Sequence, residues 1–426
     1  MSKNSYLKKA ASLSFIVKII GLLISFLLQI VLARTLNLSD FGAYNYLSSL
    51  SILLVAFCLL GFDKVSLKFI PEYIEKGIST LRYERYAIKA ASLSSFLILT
   101  LILIFGAGYI EKTVDVSIEL VALWCVSIFF MAISSVYAGL IQSIKKPVVS
   151  QFNELVLKPL VIMVGVGSVA LNSQLKLYDA LLLLLAASLL SALTNFICWK
   201  KMGSKYRHGS VAVSSGWMST GLGFLGITLC NTALNQIDIL MIGSMLGAEQ
   251  GGIYSVAVKI TNLLTLFLVA FNVVAAPMIT AFYVKGDMVG LQNLLQTVSK
   301  YVSLFTVLCA ICMYVFIDHL LALFGEQFSA AEYSIYILGL AKCVGAITGS
   351  ASYLLSLTGY QKQVLVILSS SVALNIFLNY ILIGKAGISG AALATAITMV
   401  IWNLAMFIFV LRVFNLNTTF VNINRS

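Results

Sequence analysis

The chain carries a succession of apolar runs that are too long and too unbroken for a water-soluble fold. Ser92–Phe105 and Ala180–Leu193 contain no charged residue. A helix needs about 20 mainly apolar residues to cross hydrocarbon, whereas strands of a membrane barrel would alternate apolar and polar positions. These runs do not alternate, so they read as helices. The composition agrees: 60 % of the 426 residues are hydrophobic, 10 % are charged, and the mean hydropathy is +1.00. That profile belongs to an integral membrane protein.

Apolar runs bounded by charge, Gly or Pro define twelve expected spans. They cover 13–33, 43–62, 89–110, 118–142, 152–172, 179–199, 217–245, 252–276, 300–318, 332–356, 363–383 and 388–411. The N-terminal "MSKNSYLKKAASLSF" starts like a basic leader. The run that follows continues past Lys18 to Ala33 without a convincing cleavage site, so a retained first helix is expected. With the N-terminus inside, 20 of the 28 Lys and Arg residues fall in inner segments. Four fall in outer segments (Arg34, Lys112, Lys176, Lys385) and four within spans (Lys18, Lys158, Lys259, Lys342). The positive-inside rule then puts both termini in the cytoplasm. It also explains the net charge of +12 as a surface facing anionic headgroups, with no need for a nucleic-acid partner. Two inner segments, "SLKFIPEYIEKGISTLRYERY" and "GLQNLLQTVSKYV", mix charge with large apolar residues as interfacial helices do.

The two halves resemble each other. At an offset of 210, "LNLSDFGAY" falls on "LGAEQGGIY", matching Leu36 with Leu246, Gly42 with Gly252 and Tyr44 with Tyr254. Six spans per half make the repeats parallel. The expected architecture is all-α: about twelve transmembrane helices in two six-helix lobes, 1–210 and 211–426, around a central cavity, N-in and C-in.

Polar residues inside the spans fall on single helical faces. Ser14, Lys18, Gly21, Ser25 and Gln29 form one stripe. Thr228, Asn231, Asn235 and Asp238 form another, Ser255, Lys259 and Asn262 a third, and Ser371, Asn375 and Asn379 a fourth. In hydrocarbon such residues turn to the bundle interior. Asp238 and Lys259 are symmetric about "GAEQGG". They read either as a salt bridge fixing the hairpin or as a cavity pair, with Asp238 titrating and Lys259 meeting an anion. Glu154 and Lys158, spaced i,i+4, read as an intrahelical pair. Lys18 either snorkels or lines the cavity. Lys342, central in its span, is expected to line the cavity. Lys18, Arg34, Lys259 and Lys342 together make a cationic interior suited to phosphate or an acidic sugar.

Several chemistries have no support. No nucleotide loop is present, so ATP does not drive the chain. Cys309 and Cys312 form a CxxC inside an apolar helix without partners, His208 and His319 have no ligand cluster, and no cofactor or metal is expected. Outer loops of about 15 residues or fewer lack the acidic or histidine clusters that a sugar polymerase or ligase would carry, and no catalytic constellation points to an enzyme.

The run from Leu28 to Tyr73 contains Leu32-Ala33-Arg34, a short turn, and Phe41-Gly42-Ala43-Tyr44. It resembles the start of Wzx-type polysaccharide-export flippases of the multidrug, oligosaccharidyl-lipid and polysaccharide exporter superfamily. "GIYSVAVKI" and "NIFLNYILIGKAGISGAALAT" are similar to that family too; Asn37 stands where Gly is usual. The resemblance implies flipping of an undecaprenyl-pyrophosphate-linked O-antigen or capsular repeat unit across the bacterial inner membrane by alternating access. It implies a monomer that works on a lipid-linked oligosaccharide among membrane lipids, beside a glycan polymerase and chain-length machinery. The alternative within the superfamily is an ion-coupled drug antiporter. Lys18, Gln29, Arg34, Asn231, Asn235, Asp238, Lys259, Asn262 and Lys342 are the expected substrate-binding residues.

Overall fold

A computed structural model gives the fold and describes residues 3–171, 174–210 and 216–420. Arg425 and the expected end of the fifth span at 172 lie outside the described residues. Among the described residues, eleven helices are long and apolar enough to cross a membrane. The last runs from Gln361 to Phe414, but Ala386 and Gly387 leave helical backbone. A straight 54-residue helix would measure about 80 Å, far beyond a bilayer. The chain folds back instead: a Cβ on Gly390 would sit 1.9 Å from the carbonyl oxygen of Leu382. This segment is a helical hairpin that supplies both of the last two expected spans, so all twelve are present.

The chain divides into two compact units. The first holds the described residues up to Gln236 together with Gly247–Gly252. It is built from α1 (Lys3–Thr35), α2 (Leu38–Leu59), α3 (Phe62–Glu75), α4 (Leu81–Leu101), α5 (Ala107–Val114), α6 (Ile118–Ser143), α7 (Pro147–Phe152), α8 (Lys158–Ala170) and α9 (Leu177–Gly203). The first part of α10 (Trp217–Leu246) also belongs to it. Here α6 packs on α9, α3 and α4, and α1 packs on α8. The turn after α1 is capped by Asn37, whose side chain accepts from the backbone N–H of Asp40 at 2.7 Å. An amide that can cap the helix thus stands where the family has Gly.

Repeat-related glycines meet in this unit. A Cβ on Gly42 would lie 2.0 Å from the carbonyl oxygen of Ala248, and one on Gly252 would lie 2.9 Å from Cα of Gly42. Helices in lipid gain from close backbone approach, and small residues permit it.

On the side expected to be cytoplasmic, α3 forms the anticipated amphipathic helix. The connection between α3 and α4 holds the segment after α9. Arg207 reaches both carboxylate oxygens of Glu84, at 2.6 and 3.1 Å, and the Trp217 indole donates to the Tyr73 hydroxyl at 2.6 Å.

The second unit holds Ile237–Leu246 of α10 and the described residues from Ile253 onward. It contains most of α11 (Ala248–Asn262), with α12 (Leu266–Lys285), α13 (Met288–Val315), α14 (Ile317–Phe324), α15 (Glu332–Thr348), α16 (Ala351–Leu357) and the hairpin α17 (Gln361–Phe414). "GLQNLLQTVSKYV" is not a separate interfacial helix: it continues into the ninth span as one 28-residue helix. That is about 42 Å, enough for hydrocarbon plus one interface. Exposed Phe96, Phe105, Val164, Leu308 and Phe377 clothe the spans of both units as a lipid-facing surface does.

Gly42→Ala should lower the thermal unfolding temperature of the detergent-purified protein, equivalent to about 1–3 kcal/mol of overpacking. Gly108→Ala, where a Cβ meets nothing within 4 Å, should leave it unchanged.

Candidate functional site

Asp238 is 5 % exposed, near the outer end of α10. Burying a carboxylate among apolar helices is costly unless hydrogen bonds replace its water. Tyr254 on α11 donates its hydroxyl to Oδ2 at 3.1 Å, and Asn379 donates its amide to Oδ1 at 2.8 Å. Thr395 donates its hydroxyl to Oδ2. A second ring of bonds holds these donors: Asn379 donates to Oδ1 of Asn375 at 3.1 Å, and Asn375 donates to Thr395 at 3.3 Å. Asn375 and Asn379 share one face of the first limb of α17, and Thr395 projects from the second limb, so the hairpin closes the cage. Every partner is neutral. The Asn379 Oδ1 is buried without a partner. The cage therefore offers an anionic oxygen and several neutral oxygens, which suits a proton or one small hard cation.

Of the two readings of Asp238 and Lys259, this overturns the salt bridge. The hairpin turns at Gly247, between α10 and α11, not at the midpoint 248.5 that the pairing requires. Lys259 therefore lies about one helical turn beyond the level of Asp238, and Tyr254 takes the carboxylate. Lys259 is half-buried and forms no ion pair among the described residues. Glu154 and Lys158 do not pair either. Asn153–Leu157 is a π-helical turn just before Pro159, and its wider winding carries i and i+4 off a common face. Glu154 instead accepts from Ser135 at 3.5 Å.

Lys342 is half-buried on α15 and donates to the neutral Oδ1 of Asn262 at 3.2 Å. It borders a cavity of about 240 Å³ in the second unit. Asn231 and Asn235 are exposed on α10, and their amides donate to carbonyls one turn back in their own helix, Ile227 (2.9 Å) and Asn231 (2.7 Å). In the first unit, Lys18 is half-buried and Arg34 is exposed at the end of α1. Gln29 and Ser14 are 8 % exposed on α1, and Gln29 Oε1 and Ser14 Oγ are buried without partners. Within the second unit the structure thus joins Asp238 to one cage and Lys342 to Asn262. Tyr254 and Thr395 are the functional candidates that sequence reasoning missed. Both sat in view, Tyr254 as the repeat mate of Tyr44 and Thr395 in "GAALAT", but neither lies on a polar stripe.

The apolar helices and the polar side chains buried among them define a multi-pass membrane protein. The chain belongs to the polysaccharide biosynthesis protein family, whose match covers residues 7–282. The MatE family matches residues 224–381. A relative from Haloferax volcanii, described as "Probable low-salt glycan biosynthesis flippase Agl15", is 28 % identical over 169 residues. That match spans 39 % of this chain and 35 % of the relative, about a third of its length. Among solved structures, the chain is similar to a multidrug resistance MATE family transporter of the MOP superfamily in its inward-facing conformation. The TM-score is 0.71 at 14 % identity, covering 95 % of this chain and 98 % of that one. It is also similar to the lipid II flippase MurJ in an inward closed conformation, with a TM-score of 0.72 at 15 % identity, covering 93 % and 87 %. These two likenesses establish the fold.

Asn379→Leu removes a donor from a buried carboxylate and should destabilise the protein by about 1–3 kcal/mol. Thermal unfolding in detergent measures it, and Asp238→Asn in the same background should recover part of the loss.

Proposed function

We propose that this protein flips a lipid-linked oligosaccharide, an undecaprenyl-pyrophosphate-linked O-antigen or capsular repeat unit, from the cytoplasmic to the outer leaflet of a bacterial inner membrane by alternating access. No bond is made or broken. The observation that carries the reading is Lys342: a membrane-embedded cation, bonded to a neutral amide, on the wall of a cavity. Half-buried Lys259, without an ion pair, adds a second cation, and both favour an anionic cargo. Family membership and the glycan flippase among the relatives support the same cargo class. In this reading the chain acts as a monomer that hands its cargo to a glycan polymerase and chain-length machinery.

The second reading, an ion-coupled antiporter for small cationic molecules, is favoured by the MatE match and by the buried carboxylate. Asp238 is a poor contact for such a cargo, because three donors already occupy its oxygens and 5 % exposure leaves no face for a drug. It is better placed to take the proton or sodium ion that drives the cycle.

Deleting the gene should make lipid-linked glycan accumulate on the cytoplasmic face and remove the glycan from the cell surface. Lys259→Ala or Lys342→Ala should lower surface glycan at least about tenfold, the loss of one charge-assisted contact, with the protein still in the membrane. Normal display in both variants would sink the cationic-site assignment. Asp238→Asn, nearly isosteric, should abolish the dependence of flipping in proteoliposomes on an imposed proton or sodium gradient.

A further inference from the structure

The cavity beside Lys342 has a composition that narrows the cargo. Its walls come from the 3₁₀ turn Leu263–Thr265, α12, α13, α15, the turn after α15, α16, and the second limb of α17. On the charge-based topology, Thr265–Asn272 and Gly345–Tyr353 lie in the inner halves of two descending spans, and Lys342 and Met399–Asn403 lie near mid-span. The cavity therefore runs from the middle of the membrane toward the side where cargo is collected.

Among the described residues that line it, Lys342 is the only charged one. The other polar groups are hydroxyls and amides. Asn272 accepts from the Ser350 hydroxyl at 2.5 Å. Asn403 accepts from Thr348 at 3.4 Å and donates to the carbonyl of Met399 at 2.8 Å. Trp402 and Tyr353 add two aromatic surfaces.

A lipid-linked pyrophosphate carries two negative charges, and proteins hold such groups with several cations or a guanidinium fork. One ammonium among neutral amides does not match that. It matches a single negative charge. Amides and hydroxyls match a ring rich in hydroxyl groups, and indole and phenol faces take the apolar C–H face of a pyranose while their polar tips stay bonded. A volume of 240 Å³ equals about eight waters at ~30 Å³ each, which is room for one sugar ring.

We infer that this cavity is a recognition site for one singly charged acidic sugar, a hexuronate-type residue. The carboxylate sits on Lys342, the ring lies against Trp402, and the hydroxyl groups meet Asn272 and Asn403. The inference rests on the flippase reading for its cargo, but the site is defined by its own binding chemistry. The pyrophosphate is then held elsewhere, and the cavity selects the glycan.

The test uses the purified full-length chain in lipid nanodiscs, with methyl glucuronide, methyl glucoside and inorganic pyrophosphate titrated by saturation-transfer NMR. The glucuronide should bind about tenfold more tightly than the glucoside, as one charge-assisted contact provides. Lys342→Gln should bring the two within about twofold, whereas Lys342→Arg keeps the charge and should keep the preference. Trp402→Leu should weaken both glycosides while preserving their ratio. Thermal unfolding in the same nanodiscs identifies any variant that fails to fold, and Lys342→Arg then carries the comparison. The inference is overturned if glucuronide does not bind, if glucoside binds equally well, if Lys342→Gln keeps the preference, or if pyrophosphate displaces glucuronide from Lys342. Flipping that proceeds in cells without uronide preference would remove this site and leave the flippase. Uronide binding in a chain whose deletion accumulates no lipid-linked glycan would do the reverse.

Discussion

Hydrocarbon supplies no water, so every polar group placed within the spans must find its partner in the protein. That constraint dictates helices throughout the membrane segments, because a helix satisfies its own backbone. It governs side chains as well. The Asp238 carboxylate stays buried because Tyr254, Asn379 and Thr395 replace its hydration, and Asn379 and Thr395 are held in turn by Asn375. The α17 hairpin has to fold back at Ala386 and Gly387 for both of its limbs to reach one carboxylate. A break in a 54-residue helix is thus required twice, by bilayer thickness and by the solvation of one acid.

The same constraint separates two kinds of charge in the second unit. Asp238 is enclosed by neutral donors, which replace the water its charge has lost. Lys342 has one neutral partner and a cavity wall, which leaves its charge available to an anion. Tyr254 and Asn262 both lie on α11, about 12 Å apart along its axis. One helix therefore touches both the carboxylate cage and the lysine, and a change at either end bears on the same rigid element.

Much of this was legible from residue order. Positive charges concentrated in alternate segments and twelve apolar runs predicted the spans, and the polar stripes put Asp238, Asn375 and Asn379 on interior faces, where the structure places them. Two expected pairings failed because pairing depends on local winding, and a third expectation failed because a helix runs on unbroken. The Asp238–Lys259 pair assumed a turn at 248.5, but the turn lies at Gly247. The Glu154–Lys158 pair assumed α-helical spacing, but Asn153–Leu157 is a π turn. The segment before the ninth span was amphipathic enough for a separate interfacial helix, yet nothing breaks its backbone and it runs on into the span.

The amino-acid sequence by itself determined that the chain is a helical membrane protein, because hydropathy and helical periodicity are one-dimensional properties. Tertiary structure decided which polar residues meet. Thr395 lies 157 residues from Asp238, and Asn262 lies 80 from Lys342. Contacts at those separations depend on where hairpins turn and how helices rotate against one another. Equally, only packing could bring Gly42 against Gly252, 210 residues apart, where the absence of a side chain on either lets their backbones touch.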